Sequence, residues 1–168
     1  MKEQVHEGMD DICKAIDDTL IENLELMEEK VRLNVQMEQT IREGHIELAK
    51  AKYIRGKESI SVLQVPTDEE HVATLFALET KLTEETGKAI PKFDISLKKL
   101  DTDADDVQDP IKWFGILVPQ SLRIAQKRFQ ESLYLAVKTA NIQAEINASC
   151  CKRTAKMSLF FSELRESF

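Results

Sequence analysis

Apolar residues recur at steps of three and four from the start of the chain: Val5, Met9, Ile12, Ile16, Leu20, Leu24, Met27, Val31 and Val35. That spacing draws one apolar face along an α-helix. From Met9 to Val35 the mean step is about 3.7 residues, which predicts a nearly straight or weakly right-handed pairing along this face. Leu26, Leu33 and Met37 add a second stripe, so the helix has faces for more than one neighbour. Asp10 with Lys14, Glu28 with Arg32 and Glu38 with Arg42 are i, i+4 pairs, acid first, each contributing only ~0.2–0.5 kcal/mol. The pattern continues through Ile46, Leu48, Ala51 and Tyr53, and Gly56 is the expected stop.

The last third is also helical. From Pro119 to near Leu164 neither Pro nor Gly interrupts the chain. Leu122, Ala125, Phe129, Leu133, Ala136 and Ala140 form one face, and Leu135, Ile142, Ile146, Cys150 and Met157 another. The alanines at 125, 136 and 140 would admit a closely packed partner helix. Two long helices of similar length predict an all-α fold: an antiparallel two-helix coiled-coil hairpin with an irregular middle insert. The expected divisions are 1–55, 56–108 and 109–168.

The middle is mixed. Lys57–Val65 alternates partially and Lys92–Leu97 more cleanly, so these two segments are expected to pair as a small sheet. Thr67-Asp68-Glu69-Glu70 reads as a capping box for a short helix over about 68–86, carrying Val72, Leu75, Phe76, Glu79 and Leu82 and stopping near Gly87. Asp101–Asp109 is mostly acidic and reads as a solvated linker.

The densest apolar run lies at Asp109–Phe129, which holds the only Trp and two of the four prolines. Asp109 suits a cap, Pro110 a first helical position and Gly115 a positive-φ closure. Ile116, Leu117 and Val118 follow without a polar break and need a surface to cover them. Pro119 opens the long helix. Trp113, Phe114 and Leu117 have two readings, as the cap of a core or as an anchor for a partner.

Composition narrows the function. Thirty Asp and Glu against 23 Lys and Arg leave a formal charge of −7, which argues against nucleic-acid binding. No apolar run is long enough to span a membrane, and Met1–Asp11 lacks the apolar core of a signal peptide, so residence in the cytosol is expected. The three cysteines, Cys13, Cys150 and Cys151, fit a reduced compartment. Lys152, Arg153 and Lys156 read as a solvated basic face, and His6, His45 and His71 as solvent or edge residues. There is no glycine-rich phosphate loop, no Gly-x-Ser-x-Gly and no Cys or His spacing for zinc, so neither a cofactor nor an enzyme is expected.

Asp109–Gln126, Asp-Pro-Ile-Lys-Trp-Phe-Gly-Ile-Leu-Val-Pro-Gln-Ser-Leu-Arg-Ile-Ala-Gln, closely resembles the signature of the coiled-coil-domain-containing assembly factor of the vacuolar-type proton ATPase. Leu48–Ile60, followed by Leu63-Gln64, is similar to that family's junction after its first helix. Pro66–Val107 shows no clear match to the family. The resemblance implies a non-catalytic chaperone on the cytoplasmic side of the endoplasmic reticulum and early secretory pathway, with links to lysosomal function. Its implied partners are a membrane-anchored assembly factor and the nascent membrane-sector subunits of the ATPase. Positions expected to combine structure and partner binding are Tyr53, Gly56, Asp109, Pro110, Trp113, Phe114, Gly115, Leu117, Pro119, Ser121, Leu122 and Arg123. A prefoldin-like holdase subunit and a homodimeric coiled-coil vesicle tether are the alternatives.

Overall fold

A computed structural model describes residues 2–66, 74–85, 88–98 and 109–166. Helix α1 runs Lys2–Arg55 and helix α2 Gln120–Glu166. Between them lie a short 3₁₀ turn at Val62–Gln64, strands β1 (Phe76–Glu85) and β2 (Lys88–Leu97), and a second 3₁₀ turn at Pro110–Phe114. The chain divides into two compact units. Unit 1 comprises Met1–Leu33, Lys81–Lys92 and Thr139–Phe168, and unit 2 comprises Asn34–Thr80 and Phe93–Lys138.

The fold is therefore mostly helical but not all-α, because β1 and β2 form a two-stranded sheet. Two residues separate the strands, so they pair antiparallel, and Lys98 N–H closes the open end on Leu75 O at 2.8 Å. The short helix expected over 68–86 gives way to β1 from Phe76 onward. Phe76, Leu78, Thr80 and Leu82 alternate with Ala77, Glu79, Lys81 and Thr83, a period of two that suits a strand. Here β2 supplies the ladder that decides between the periods. Lys92–Leu97 does lie in a strand, but its partner is β1. Lys57–Val65 instead forms turns, because Ser61 and Gln64 satisfy the backbone locally. Ser61 Oγ accepts from Leu63 N–H at 3.2 Å, and Gln64 Oε1 accepts from Ser61 N–H at 2.8 Å. The capping box at Thr67–Glu70, His71, Gly87 and the acidic stretch 101–108 lie outside the described residues.

In unit 1, α1 and α2 pack antiparallel. Lys156 Nζ donates to Ala15 O and Thr19 Oγ1, each at 3.0 Å, and Lys30 donates to Gln143 Oε1. Lys156 is thus a tie between helices and not part of a solvated basic face. The α1 seam here is Thr19, Asn23, Leu26, Lys30 and Leu33. Leu20, Leu24, Met27 and Val31, from the stripe with the stronger apolar signal, are exposed. This corrects the expected pairing. The seam positions step 4, 3, 4 and 3, a seven-residue repeat, and three of the five are polar. From α2, Ile146 and Ser149 are buried.

In unit 2 the helices are again antiparallel. Phe129 lies edge-on to His45, ring centroids 5.2 Å apart, and a Cβ at Gly44 would stand 3.1 Å from its ring atoms. Arg128 reaches Glu43 at 3.1 Å and Glu131 at 2.8 Å. The hydrogen bond to Glu131, reinforced by the charges of Glu43 and Glu131, holds its guanidinium above the usual range. Ala125, Ser132 and Leu135 are buried on α2, whereas Leu133 and Ala136 are exposed. Glu38–Arg42 forms as expected at 2.9 Å, while Arg32, in unit 1, pairs with Glu29 in preference to Glu28.

Candidate functional site

Twelve positions carried the expectation of a partner-binding site, and all twelve fall in unit 2. Their scaffold is the turn between Asp109 and Gly115. Asp109 Oδ1 accepts from Ile111 N–H at 3.2 Å and from Gln126 Nε2 at 2.7 Å, so one carboxylate caps the turn and ties it to α2. Pro110 takes the first turn position, where a missing N–H costs nothing. Gly115 closes the turn at φ +104°, and its N–H donates to Lys112 O at 3.1 Å. A side chain there would be strained by the backbone alone.

The capped turn sends Ile111 inward. It joins Ala51 of α1, Ile60 and Leu122 of α2 in a buried cluster, with Leu48, Phe114 and Val118 packed around it. Ser121 is buried, and its hydroxyl has no partner among the described residues. Pro119 stands one residue before α2 and caps it, its carbonyl accepting from Leu122 N–H at 3.0 Å. Trp113, within the turn itself, is half-buried and is not a member of the cluster. Sequence reasoning overlooked Ile111 and Ile60, the apolar residues that centre this packing. The signal for Ile111 was its place inside the capped turn, and for Ile60 the capping serine that follows it.

Around this buried centre the surface is apolar. Ile116 is 97 % exposed, Leu117 79 % and Tyr53 91 %, and Ile54, Val62 and Leu63 are exposed as well. Of the run 116–118 only Val118 gains cover. Tyr53 and Ile54 belong to the last turn of α1, which stops at Gly56 (φ +88°) with Gly56 N–H on Lys52 O at 2.9 Å. A Cβ at Gly115 would lie 3.6 Å from the Arg55 guanidinium, so the end of α1 adjoins the turn and the two sets of exposed residues share one end of the unit. Arg123 is exposed on the first turn of α2. Among the described residues no group of three His, Cys, Asp or Glu side chains converges as a metal site would, and no helix is long and apolar enough to cross a membrane.

Fold and surface together define a mostly helical protein with exposed apolar residues gathered at one end of unit 2. The family can be given as well. The Vma22/CCDC115 family model matches residues 67–132, so the middle of the chain, expected to lack a match, falls inside the matched stretch. The chain is 35 % identical to the mouse vacuolar ATPase assembly protein VMA22, over 76 % of this chain and 79 % of the relative. It is 31 % identical to the zebrafish protein of that name, over 77 % and 80 %, and 30 % identical to the human one, over 82 % and 86 %. The chain belongs to the Vma22/CCDC115 family.

Proposed function

We propose that this chain is a non-catalytic chaperone for assembly of the membrane sector of the vacuolar-type proton ATPase. It acts peripherally, on the cytoplasmic side of the endoplasmic reticulum and early secretory pathway. What supports the reading is the name its relatives carry, vacuolar ATPase assembly protein. The observation that carries its mechanism is the apolar rim of Tyr53, Ile54, Ile116 and Leu117 around a capped, buried turn. A rigid centre holds exposed anchors in place, so little side-chain entropy is lost when a partner covers them. In this reading the partner is a membrane-anchored assembly factor, and the pair shields surface on incompletely assembled membrane-sector subunits.

Recovery of such a factor and of membrane-sector subunits with tagged chain, from detergent-solubilised membranes, tests the proposal. Leu117→Asp, Trp113→Ala and Arg123→Glu are expected to lose recovery with melting temperatures close to the parent. Undiminished recovery by all three variants would remove this end of unit 2 from the interface. Failure of the unaltered chain to recover any ATPase subunit would remove the function itself.

A further inference from the structure

In unit 1 the face that α1 gives to α2 is not its most apolar face. Thr19, Asn23, Leu26 and Lys30 line the seam, while Leu20, Leu24, Met27 and Val31 stand in the open, Leu24 at 58 % and Val31 at 62 % exposure. Exposed leucines scattered singly are ordinary, but these four recur at steps of 4, 3 and 4 and so form one continuous strip. Among the described residues, the β-hairpin meets another face of α1. Ile90, Pro91 and Lys92 border a cavity of about 280 Å³ together with Glu22 and Leu26 of α1. At about 100° per residue, Glu22 and Leu26 lie on the side of the seam away from the strip.

The charges beside the strip restrict what can cover it. From Asp17 to Glu28 the helix carries five carboxylates, Asp17, Asp18, Glu22, Glu25 and Glu28, and no cation. All five are exposed, and Asp17 and Glu28 border the strip on its outer edge. A second copy laid along this face would set these carboxylates against their own counterparts. An anionic lipid surface would be repelled in the same way, since helices that lie on such surfaces are rich in Lys and Arg. A helix with an apolar stripe and basic flanks satisfies both the strip and its border.

We propose that Leu20, Leu24, Met27 and Val31 are the docking site for a cationic amphipathic helix of another polypeptide. Its apolar residues at i, i+3, i+4 and i+7 lie on the strip, and its lysines and arginines meet Asp17 and Glu28. The inference concerns residues other than those proposed above, and separate variants test the two.

The experiment titrates the full chain with two fluorescein-labelled 21-residue peptides sharing one leucine stripe, one flanked by Lys and one by Glu. Binding of the Lys peptide alone is expected. Leu24→Asp with Val31→Asp should weaken it at least about tenfold. That substitution adds negative charge, so an attraction that is only electrostatic would strengthen instead, and that result would overturn the proposal. Charge reversal by Asp17→Lys and Glu28→Lys should transfer preference to the Glu peptide. Equal binding of both peptides to the parent would refute the assignment, as would a dimer in light scattering, or adsorption to phosphatidylserine vesicles, abolished by the Asp pair. Circular dichroism of each variant establishes that α1 remains helical.

Discussion

Gly44 offers the most direct test of how α1 and α2 meet in unit 2. A Cβ added there would stand 3.1 Å from two Phe129 ring atoms and 3.3 Å from a third, and His45 abuts the same ring at 5.2 Å between centroids. Ala at this position gains about 1 kcal/mol of helix propensity over Gly, and the ring must withdraw by a few tenths of an ångström, so Gly44→Ala should be close to neutral. Val gains less propensity and adds two methyl groups toward the ring. Overpacking of this kind costs ~1–3 kcal/mol, which leaves Gly44→Val less stable by about 1–2 kcal/mol. For a chain of this size that lowers the melting temperature by roughly 2–8 °C. Thermal unfolding followed by circular dichroism reads the shift, and repeating it in a Phe129→Ala background isolates its cause. Without the ring, Gly44→Val should cost nothing and recover its propensity gain. An equal loss in both backgrounds would show that the glycine is needed for some reason other than Phe129.

Further outcomes follow from the same packing. Leu122→Ala, at a buried position beside Ala51 and Ile111, should cost ~2–5 kcal/mol in urea unfolding. Asp109→Ala removes both the cap on Ile111 and the tie to Gln126 and should cost about 1 kcal/mol, whereas Asp109→Asn retains most of it. Asn23→Leu should stabilise the chain by ~1–3 kcal/mol, because neither amide atom of Asn23 has a partner among the described residues although the side chain is 2 % exposed. Light scattering of the purified chain is expected to show neither a prefoldin-like hexamer nor a stable homodimer; either would favour a rival reading.

What could be read from the residues follows how local each decision is. The stop at Gly56 and the turn from Asp109 to Gly115 depend on a carboxylate, a proline and positive-φ glycines within a few residues, and the structure has these features where the chemistry put them. Phe76–Leu82 fits a helical face and a strand equally well, so only the partner strand β2 could settle it. The buried face of α1 was least legible. Periodicity finds where apolar residues recur, but burial depends on what the other helix can accept. Here α2 meets Thr19, Asn23 and Gly44 and leaves Leu24 and Val31 outside. The exposure of Ile116 and Leu117 was hidden for a related reason, since an unbroken apolar run shows the need for cover and not who provides it.

Asn23 lies on α1 between the residues that meet Lys156 and Gln143, and Ser149 lies on α2 between those same two ties. The two polar side chains therefore share one stretch of the interface. Sliding one helix by a heptad would carry Asn23 level with Ile142 and away from Ser149. Polar side chains at buried seam positions act as a ruler: they give up some of the attraction between the helices and bias how far along each other they lie.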